Sequence, residues 1–184
     1  MFADTRRARV GGIGPAAEWL RSLYPAAMVR WKPRLATACD ADEVAQLLHD
    51  FNTEFGASSP GVEVLAARLR VLLATDETVA ILAGIPAVAV ALVTLRPNVW
   101  YAGWVALLDE LYVAPGLRGH GIGSAVIEQL LSTSRVRGVD LIEINVDEGD
   151  IDARRFYERH GFSSAEPHST ETALYYAQEL TACR

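Results

Sequence analysis

The chain has 184 residues, which suits one domain with a sizeable core and is short for two. Hydrophobic residues make up 51% and charged residues 22%, so we expect a packed globule rather than a disordered chain. Its net charge of −6 has the opposite sign to that of a general nucleic-acid binder, and we expect small cationic or neutral partners and no nucleic acid. Cys39 and Cys183 are far apart and form no CxxC pair, which argues against a disulfide scaffold or a cysteine-rich zinc site and allows a reducing cytoplasm.

The first 29 residues differ in character from the rest of the chain. They carry no clear strand or helix period and include Gly11, Gly12 and Pro15. Arg6 and Arg7 are not followed by the apolar run that an export signal needs. We therefore predict an N-terminal extension over residues 1–29 and a single domain over residues 30–184.

The next part of the chain predicts a strand followed by two helices. Residues 30–38 are a strand candidate, and Asp40 with Glu43 then forms a helix start that resembles a capping box. Ser59-Pro60 begins a second helix, with a capping serine and a proline in the first turn. Each helix has one apolar stripe. The stripes are Val44, Leu47, Leu48 and Phe51 in the first helix, and Val62, Leu65, Ala66, Leu69 and Leu73 in the second.

The stretch from Val79 to Leu95 has no charged residue and approaches the length of a membrane span. Gly84-Ile85-Pro86 interrupts it, and this combination favours a turn between two strands over a membrane helix. In the second run, larger side chains such as Val88 and Val90 alternate with alanines, which is typical of a strand buried on both faces. We predict a buried β-hairpin with strands at 78–83 and 87–95, and no membrane partner.

Beyond the hairpin, strands and helices alternate. We predict a strand at 104–113, a helix at 121–136, a strand at 140–146, a helix at 152–160 and a last strand near 173–178. Gly161 should end the last helix, and a short strand near Phe162 is left open. This order, with a hairpin in the middle, indicates an α/β (α+β) fold in which helices cover a mixed sheet.

A glycine-rich turn joins the strand at 104–113 to the following helix. Gly119, Gly121 and Gly123 allow the backbone to approach a ligand closely, with several N–H groups pointing one way. The helix N-terminus adds partial positive charge and Arg118 a full one, so the turn suits a pyrophosphate. An ordinary tight turn is the alternative. A dinucleotide-binding fingerprint fits less well, because the spacing is G-x-G-x-G and the motif follows a hairpin.

Two blocks of the sequence resemble the GNAT superfamily of N-acetyltransferases. Arg118-x-x-Gly121-x-Gly123 is similar to the R/Q-x-x-G-x-G/A acetyl-CoA motif, and residues 153–162, ARRFYERHGF, are similar to the family's A-x-x-x-Y-E-x-x-G-F segment. Their order and separation fit as well, and the resemblance covers residues 31–180. It implies a GNAT-like, mostly antiparallel central sheet, whose strands at about 104–113 and 140–146 splay apart to form the cofactor cleft.

The resemblance also implies acetyl-CoA as the acyl donor, without a metal. The pantetheine arm would bond backbone groups of the first splayed strand, and an N–H group there would polarise the thioester carbonyl. The family often has Asn at the position of Asp150, which can cap the next helix but leaves a cofactor contact open. The implied cofactor-binding residues are Leu111, Tyr112, Val113, Arg118, Gly119, His120, Gly121, Ile122, Gly123, Ser124, Asp150 and Tyr157.

Three side chains are candidates for the chemistry. Tyr157 matches the family tyrosine that protonates the departing thiolate, with a packing role as the alternative. Asp109 and Glu110 are adjacent acids in an apolar strand and should point to opposite faces unless a bulge breaks the alternation, so at least one faces the interior or the cleft. A cationic amine would relieve the cost of burying it. Glu110 is the first choice as base or amine anchor and Asp109 the second; pairing with an arginine such as Arg96 is the alternative.

The other aromatic and histidine residues are less informative. Five aromatics near the predicted strand and helix ends could wall an acceptor pocket, pack in the core or contact a second copy in a homodimer. They are Phe51, Phe55, Trp100, Tyr101 and Trp104. The histidines show no metal-ligand spacing, and no catalytic histidine is indicated. They are His49, His120, His160 and His168.

Two functional classes follow from these patterns. The first is an enzyme that transfers acetyl from acetyl-CoA to the primary amine of a small cationic acceptor, by direct attack in a ternary complex. The second is a catalytically silent acyl-CoA-binding module with a regulatory or interaction role. Glu110 together with Tyr157 favours the enzyme, which we expect to be cytoplasmic.

Overall fold

The computed structural model describes residues 31–165 and 169–178; the predicted extension over residues 1–29, His168 and Cys183 lie outside these ranges. The described chain forms five strands, four α-helices and two short 3-10 turns. In chain order they are β1 (Pro33–Leu35), a 3-10 turn (Ala38–Asp40), α1 (Ala41–Glu54), α2 (Val62–Leu72), β2 (Thr78–Gly84), β3 (Ala87–Pro97), β4 (Trp104–Val113), a second 3-10 turn (Pro115–Leu117), α3 (Ile122–Val136), β5 (Val139–Ile144) and α4 (Ile151–Arg159).

The five described strands form one sheet in the order β1-β2-β3-β4-β5. The first three pairs of neighbours are antiparallel and only β4 and β5 run parallel, so the expected mixed, mostly antiparallel sheet is confirmed. A parallel pair needs a crossover connection, and α3 supplies it. The strands at the middle of the sheet are covered on both faces, which places β4 and its neighbours between two layers of helix.

The alternation along β3 explains how the two faces are filled. Ala89, Ala91 and Val93 pack in one buried cluster with the apolar stripe of α3. Val90, between them, lies in a second cluster with α1 and α2, as the predicted helix stripes require. Small residues on the α3 side and larger ones on the other side allow close packing of helices on both faces.

The uncharged stretch forms β2 and β3, and the predicted hairpin is confirmed. Gly84 ends β2 with φ of +97°, and a Cβ at that position would lie 2.9 Å from the carbonyl oxygen of Pro86. Only glycine accommodates this turn without strain. None of the helices in residues 31–165 and 169–178 has the length and apolar character that crossing a bilayer requires.

Several predicted boundaries are wrong. β1 has three residues rather than nine, and β5 spans Val139–Ile144 rather than 140–146. The second helix begins at Val62, not at Ser59-Pro60, because Gly61 stands at its N-terminus with φ of +94°. The Ser59 hydroxyl instead lies 2.8 Å from Nδ1 of His49 and accepts a hydrogen bond from the N–H of Gly61. Ser59 thus fastens the loop to α1 rather than capping α2.

The predicted last strand near 173–178 is also wrong. The short strand near Phe162, which the sequence left open, is absent from the described residues. The N–H of Phe162 bonds the carbonyl of Tyr157, and that of Gly161 bonds Glu158, which together close the C-terminus of α4. Residues 173–178 lie outside the sheet, with only an isolated bridge between Ala165 and Thr172 before them. Residues 173–178 have strand propensity, but no strand of the described chain pairs with them.

The core on the α3 side gives a stability prediction. Ile127 is fully buried between α3 and the sheet, whereas Val136, on the same helix, is 87% exposed. Ile127→Ala should lower the free energy of unfolding by about 2–5 kcal/mol, because it removes buried methyl groups and leaves a cavity. Val136→Ala, the matched control, should change it by no more than about 0.5 kcal/mol. Chemical denaturation measures both, and equal effects would contradict the assigned packing.

Candidate functional site

A β-bulge in β4 determines how the two adjacent acids are presented. Leu92 of β3 faces Glu110 and the next residue, Val93, faces Leu108, so Asp109 is an extra residue without a partner on β3. The Asp109 carboxylate accepts a hydrogen bond from the Thr94 hydroxyl at 2.7 Å. Thr94 and Leu92 share one face of β3, so Asp109 and Glu110 lie on the same face of the sheet. The predicted opposite orientation is wrong, because the bulge breaks the alternation.

The sheet opens at the same point. The ladder between β4 and β5 ends at Leu108 and Ile144, and no described strand pairs with the rest of β4 on that side. The N–H of Ala114 bonds the carbonyl of Val88 across the β3 ladder. Since backbone groups alternate in direction along an antiparallel strand, those of Leu111 and Val113 point toward the gap. Those of Tyr112 point toward β3, which leaves Leu111 and Val113 as the backbone candidates among the three predicted.

The glycines of the turn have two different roles. Gly119 and Gly121 have φ of +78° and +80°, and a Cβ at either position would meet nothing within 4 Å. They shape the turn and leave the space beside it open. Gly123 lies in the first turn of α3, where a Cβ would stand 3.3 Å from the ring of Phe156. For Gly123 the geometry adds a role to the predicted ligand approach, since its missing side chain leaves room for the ring of Phe156 on α4.

The N-terminus of α3 is suited to an anion. Gly121 is its capping position, and no side chain of the described residues caps it. Ile122, Gly123 and Ser124 form its first turn, whose N–H groups have no partner within the helix. Nδ1 of His120 lies 2.9 Å from the carbonyl oxygen of Arg118 and 3.2 Å from that of Leu117, which turns this ring nitrogen toward the backbone of the turn.

Arg118 is directed away from this N-terminus and toward α1. Its Nη1 and Nη2 donate to the two carboxylate oxygens of Glu54 at 2.7 and 2.8 Å, and its Nε donates to the carbonyl oxygen of Val113. Glu54 is not among the site residues predicted from the sequence. Its only signal there is an acid at the end of a helix, a position where the helix dipole disfavours negative charge.

Tyr157 lies half-buried between two aromatic rings. The ring centres of Phe156 and Phe162 are 5.2 and 5.8 Å from its own. Burial, and then the negative charges of Asp150 and Glu110, raise the pKa of the Tyr157 phenol to about 12. The phenol therefore keeps its proton across the neutral range. Asp150 caps α4, since its carboxylate accepts a hydrogen bond from the N–H of Ala153 at 2.9 Å.

Asp109 and Glu110 carry negative charge that the described part of the protein does not neutralise. Burial, and then the charge of Asp109, raises the pKa of Glu110. Burial also raises the pKa of Asp109, against the lowering effect of its bond with Thr94. Arg96, the predicted alternative partner, instead donates to Glu143 at 2.6 Å. Neither acid forms an ion pair with any of the described residues.

The aromatic residues, for which a pocket wall, the core and a dimer contact were left open, do not lie together as one wall among the described residues. Phe51 packs on Tyr112, with ring centres 5.7 Å apart, and Trp104 packs on the α3-side core. Trp100 is 86% exposed, and Phe55 is also exposed. Among the described residues, no group of histidine, cysteine, aspartate and glutamate side chains is arranged to hold a metal ion.

The model of the acetyltransferase (GNAT) family matches residues 42–162, more than half of the chain. The chain belongs to this family. This GNAT chain is similar to a "putative acetyltransferase" from Arthrobacter sp. FB24, whose crystal structure is known. The two sequences are 57% identical, and the structures superpose with a TM-score of 0.76 over 80% of this chain and 95% of that one. Both motif blocks thus lie within a GNAT domain, as their resemblance implied.

Other relatives of this GNAT domain are more distant. Mycothiol acetyltransferase from Beutenbergia cavernae is 35% identical over 41% of this chain and 26% of its own length. Aminoalkylphosphonate N-acetyltransferase from Salmonella typhimurium is 34% identical over 35% of this chain and 42% of its own length. The chain therefore matches less than half of either relative. A further crystal structure is that of an aminoglycoside acetyltransferase from an uncultured soil metagenomic sample, in complex with sisomicin. It is 18% identical, with a TM-score of 0.69 over 83% of this chain and 98% of that one, and it shares the fold.

The raised pKa of Glu110 predicts how stability depends on pH. An acid with a raised pKa binds its proton more tightly in the folded state, so its ionised form lowers stability at neutral pH. Glu110→Gln should therefore increase the free energy of unfolding at pH 7, and the gain should fade as the pH falls to about 4. Denaturation curves at both pH values measure the difference. The control is Glu128→Gln, at an exposed site on α3, which should not increase the free energy of unfolding. If the increase for Glu110→Gln persists at low pH, ionisation of Glu110 is not its cause.

Proposed function

We propose that this GNAT protein transfers the acetyl group of acetyl-CoA to the primary amine of a small cationic acceptor, by direct attack in a ternary complex. One observation carries the acceptor assignment. Asp109 and Glu110 share a face at the mouth of the gap between β4 and β5, and neither has a basic partner among the described residues. Two neighbouring carboxylates with raised pKa values disfavour each other's charge, and an ammonium group would relieve that cost.

The opposite side of β4 fits the acyl donor. The space beside Gly119 and Gly121 is open, and the uncapped N-terminus of α3 offers N–H groups and partial positive charge to a pyrophosphate. The backbone groups of Leu111 and the N–H of Val113 face the gap, where an extended pantetheine arm could bond them, whereas the Val113 carbonyl already accepts a hydrogen bond from Arg118. Acetyl-CoA would supply the acetyl group as a thioester, and these residues would hold and orient it.

Two side chains would manage the protons. Glu110 has a raised pKa, which suits a carboxylate that accepts a proton from an ammonium group, directly or through a water molecule. Tyr157 holds its phenol proton at neutral pH and could deliver it to the departing sulfur. After burial and the charge of Asp150, the charge of Glu110 contributes to the raised pKa of Tyr157, so the two groups interact electrostatically. Ionisation of Glu110 therefore helps to keep the phenol protonated.

The relatives support an amine as the acceptor. One of those named above is an aminoalkylphosphonate N-acetyltransferase, and a structure with the same fold is an aminoglycoside acetyltransferase in complex with sisomicin. The proposal for this chain is limited to a small cationic amine, because its own acidic residues are the basis for the assignment.

Thiol release from acetyl-CoA with a panel of polyamines, aminoglycosides and amino acids tests this function. We expect release with a cationic amine, and we expect Glu110→Gln to raise the KM for that amine if Glu110 anchors it, or to lower kcat if it is the base. Asp109→Asn should also raise the KM for the amine or lower kcat, since the bulge puts both acids on one face. Glu143→Gln, which removes an acid already paired with Arg96, is the control. Binding of CoA without release for any amine would instead indicate a silent acyl-CoA-binding module.

Tyr157→Phe tests whether the phenol delivers the proton to the departing sulfur. We expect kcat to fall by about 10²–10⁴-fold with little change in the affinity for acetyl-CoA, because the phenol would act only on the leaving group. Tyr175→Phe is the matched control, since Tyr175 is exposed and lies outside the sheet. A pH–rate profile of both variants measures the effect. A kcat equal to that of the unmodified protein at every pH would assign proton delivery to water.

A further inference from the structure

One ion pair joins the glycine-rich turn to the first helix. Arg118 donates to both carboxylate oxygens of Glu54, at 2.7 and 2.8 Å, and to the carbonyl oxygen of Val113 at 2.9 Å. All three nitrogens of the guanidinium are thus engaged on the α1 side of the turn. Two parallel N–H···O bonds between a guanidinium and a carboxylate fix direction as well as distance.

The local position of Glu54 gives no reason for an acid. It is the last residue of α1, where the helix dipole disfavours negative charge, and the last turn of α1 contains no basic residue. The compensating positive charge comes from Arg118, 64 residues away in the sequence. The favourable interaction of Glu54 is therefore with the turn and not with its own helix.

The pair also covers the end of β4. The guanidinium carbon of Arg118 lies 5.7 Å from the centre of the Tyr112 ring, and Phe51 of α1 packs against the same ring. Tyr112 is buried and comes two residues after Glu110. The pair of Glu54 and Arg118 thus connects α1, the end of β4 and the turn that precedes α3.

We propose that Glu54 is a positioning residue for the acyl donor. It holds Arg118 against the end of β4 and so keeps the turn at residues 115–121 in the shape in which its N–H groups can meet a pyrophosphate. This inference rests on the proposed function, because it assigns that turn to acetyl-CoA. Arg118, with its charge neutralised by Glu54, fixes the shape of the turn. The backbone N–H groups provide the contacts to the pyrophosphate.

Calorimetric titration of the full chain with CoA tests the inference without any need for turnover. Glu54→Gln removes the charge, and Arg118→Lys removes the planar fork. Each should weaken CoA binding by about fivefold or more, a usual size for coupling between two sites. The double variant should lose no more affinity than the worse single variant, because both changes break one interaction. With acetyl-CoA and an active amine, the KM for acetyl-CoA should rise while kcat at saturation stays the same.

Asp50→Asn is the matched control. Asp50 lies one turn earlier on α1, and its carboxylate accepts a hydrogen bond from Gln46 rather than from Arg118. It removes the same charge from the same helix, and CoA affinity should not change. Thermal melting of each variant checks that it folds, and if Glu54→Gln does not fold, Arg118→Lys still breaks the pair from its other side.

The outcomes separate this inference from the proposed function. If the unmodified chain does not bind CoA, the proposed function fails and this inference with it. If that chain binds CoA and both single variants bind it equally well, only this inference fails. Tighter binding by Glu54→Gln would also overturn it, because Glu54 would then be withholding Arg118 from the phosphates.

Discussion

At Leu92 the ladder between β3 and β4 changes register, because Asp109 has no partner on β3. The pairing of β4 with β5 stops at the preceding residue, Leu108. A bulge bends its strand and increases the local twist, and here the bend coincides with the opening of the sheet. The gap, the outward backbone groups of Leu111 and the shared face of the two acids all follow from this extra residue. The rest of the sheet holds it in place, since β3 is buried on both faces.

The groups that carry charge differ between the proposed acceptor site and the proposed donor site. On the acceptor side, Asp109 and Glu110 are carboxylates without a described basic partner. Burial raises the pKa of both, and the charge of Asp109 further raises the pKa of Glu110. At the glycine-rich turn, the full charge of Arg118 is neutralised by Glu54 of α1, so the positive potential for the donor comes from N–H groups at the start of α3. Carboxylates are thus directed at one substrate and backbone dipoles at the other. This division fits a protein that brings together a cation and a polyanion.

The sequence predicted the features that depend on local patterns. The stripe through Val44 and Leu48, the alternation along β3 and the turn at Gly84 each repeat at the period of a helix, a strand or a hairpin. The bulge shifts the alternation of β4 by one residue, so that Trp104, Ala106 and Leu108 before it and Leu111 and Val113 after it contact the same core cluster. Its trace in the sequence is the pair of adjacent acids, which the strand period alone assigns to opposite faces. The ion pair of Glu54 with Arg118 joins distant parts of the chain, and only the fold brings them together. Residues 173–178 show the opposite error, since local strand character did not produce a strand.

The contact between Gly123 and Phe156 links the two sequence blocks that identify the family. Gly123 belongs to the first block and Phe156 to the second, directly before Tyr157. A Cβ at position 123 would stand 3.3 Å from the ring, closer than ordinary van der Waals contact, so the position of the Phe156 ring depends on the absence of a side chain there. The two blocks are therefore not independent modules. A larger side chain at position 123 would displace the ring of Phe156, and Tyr157, the next residue of α4, would move with it.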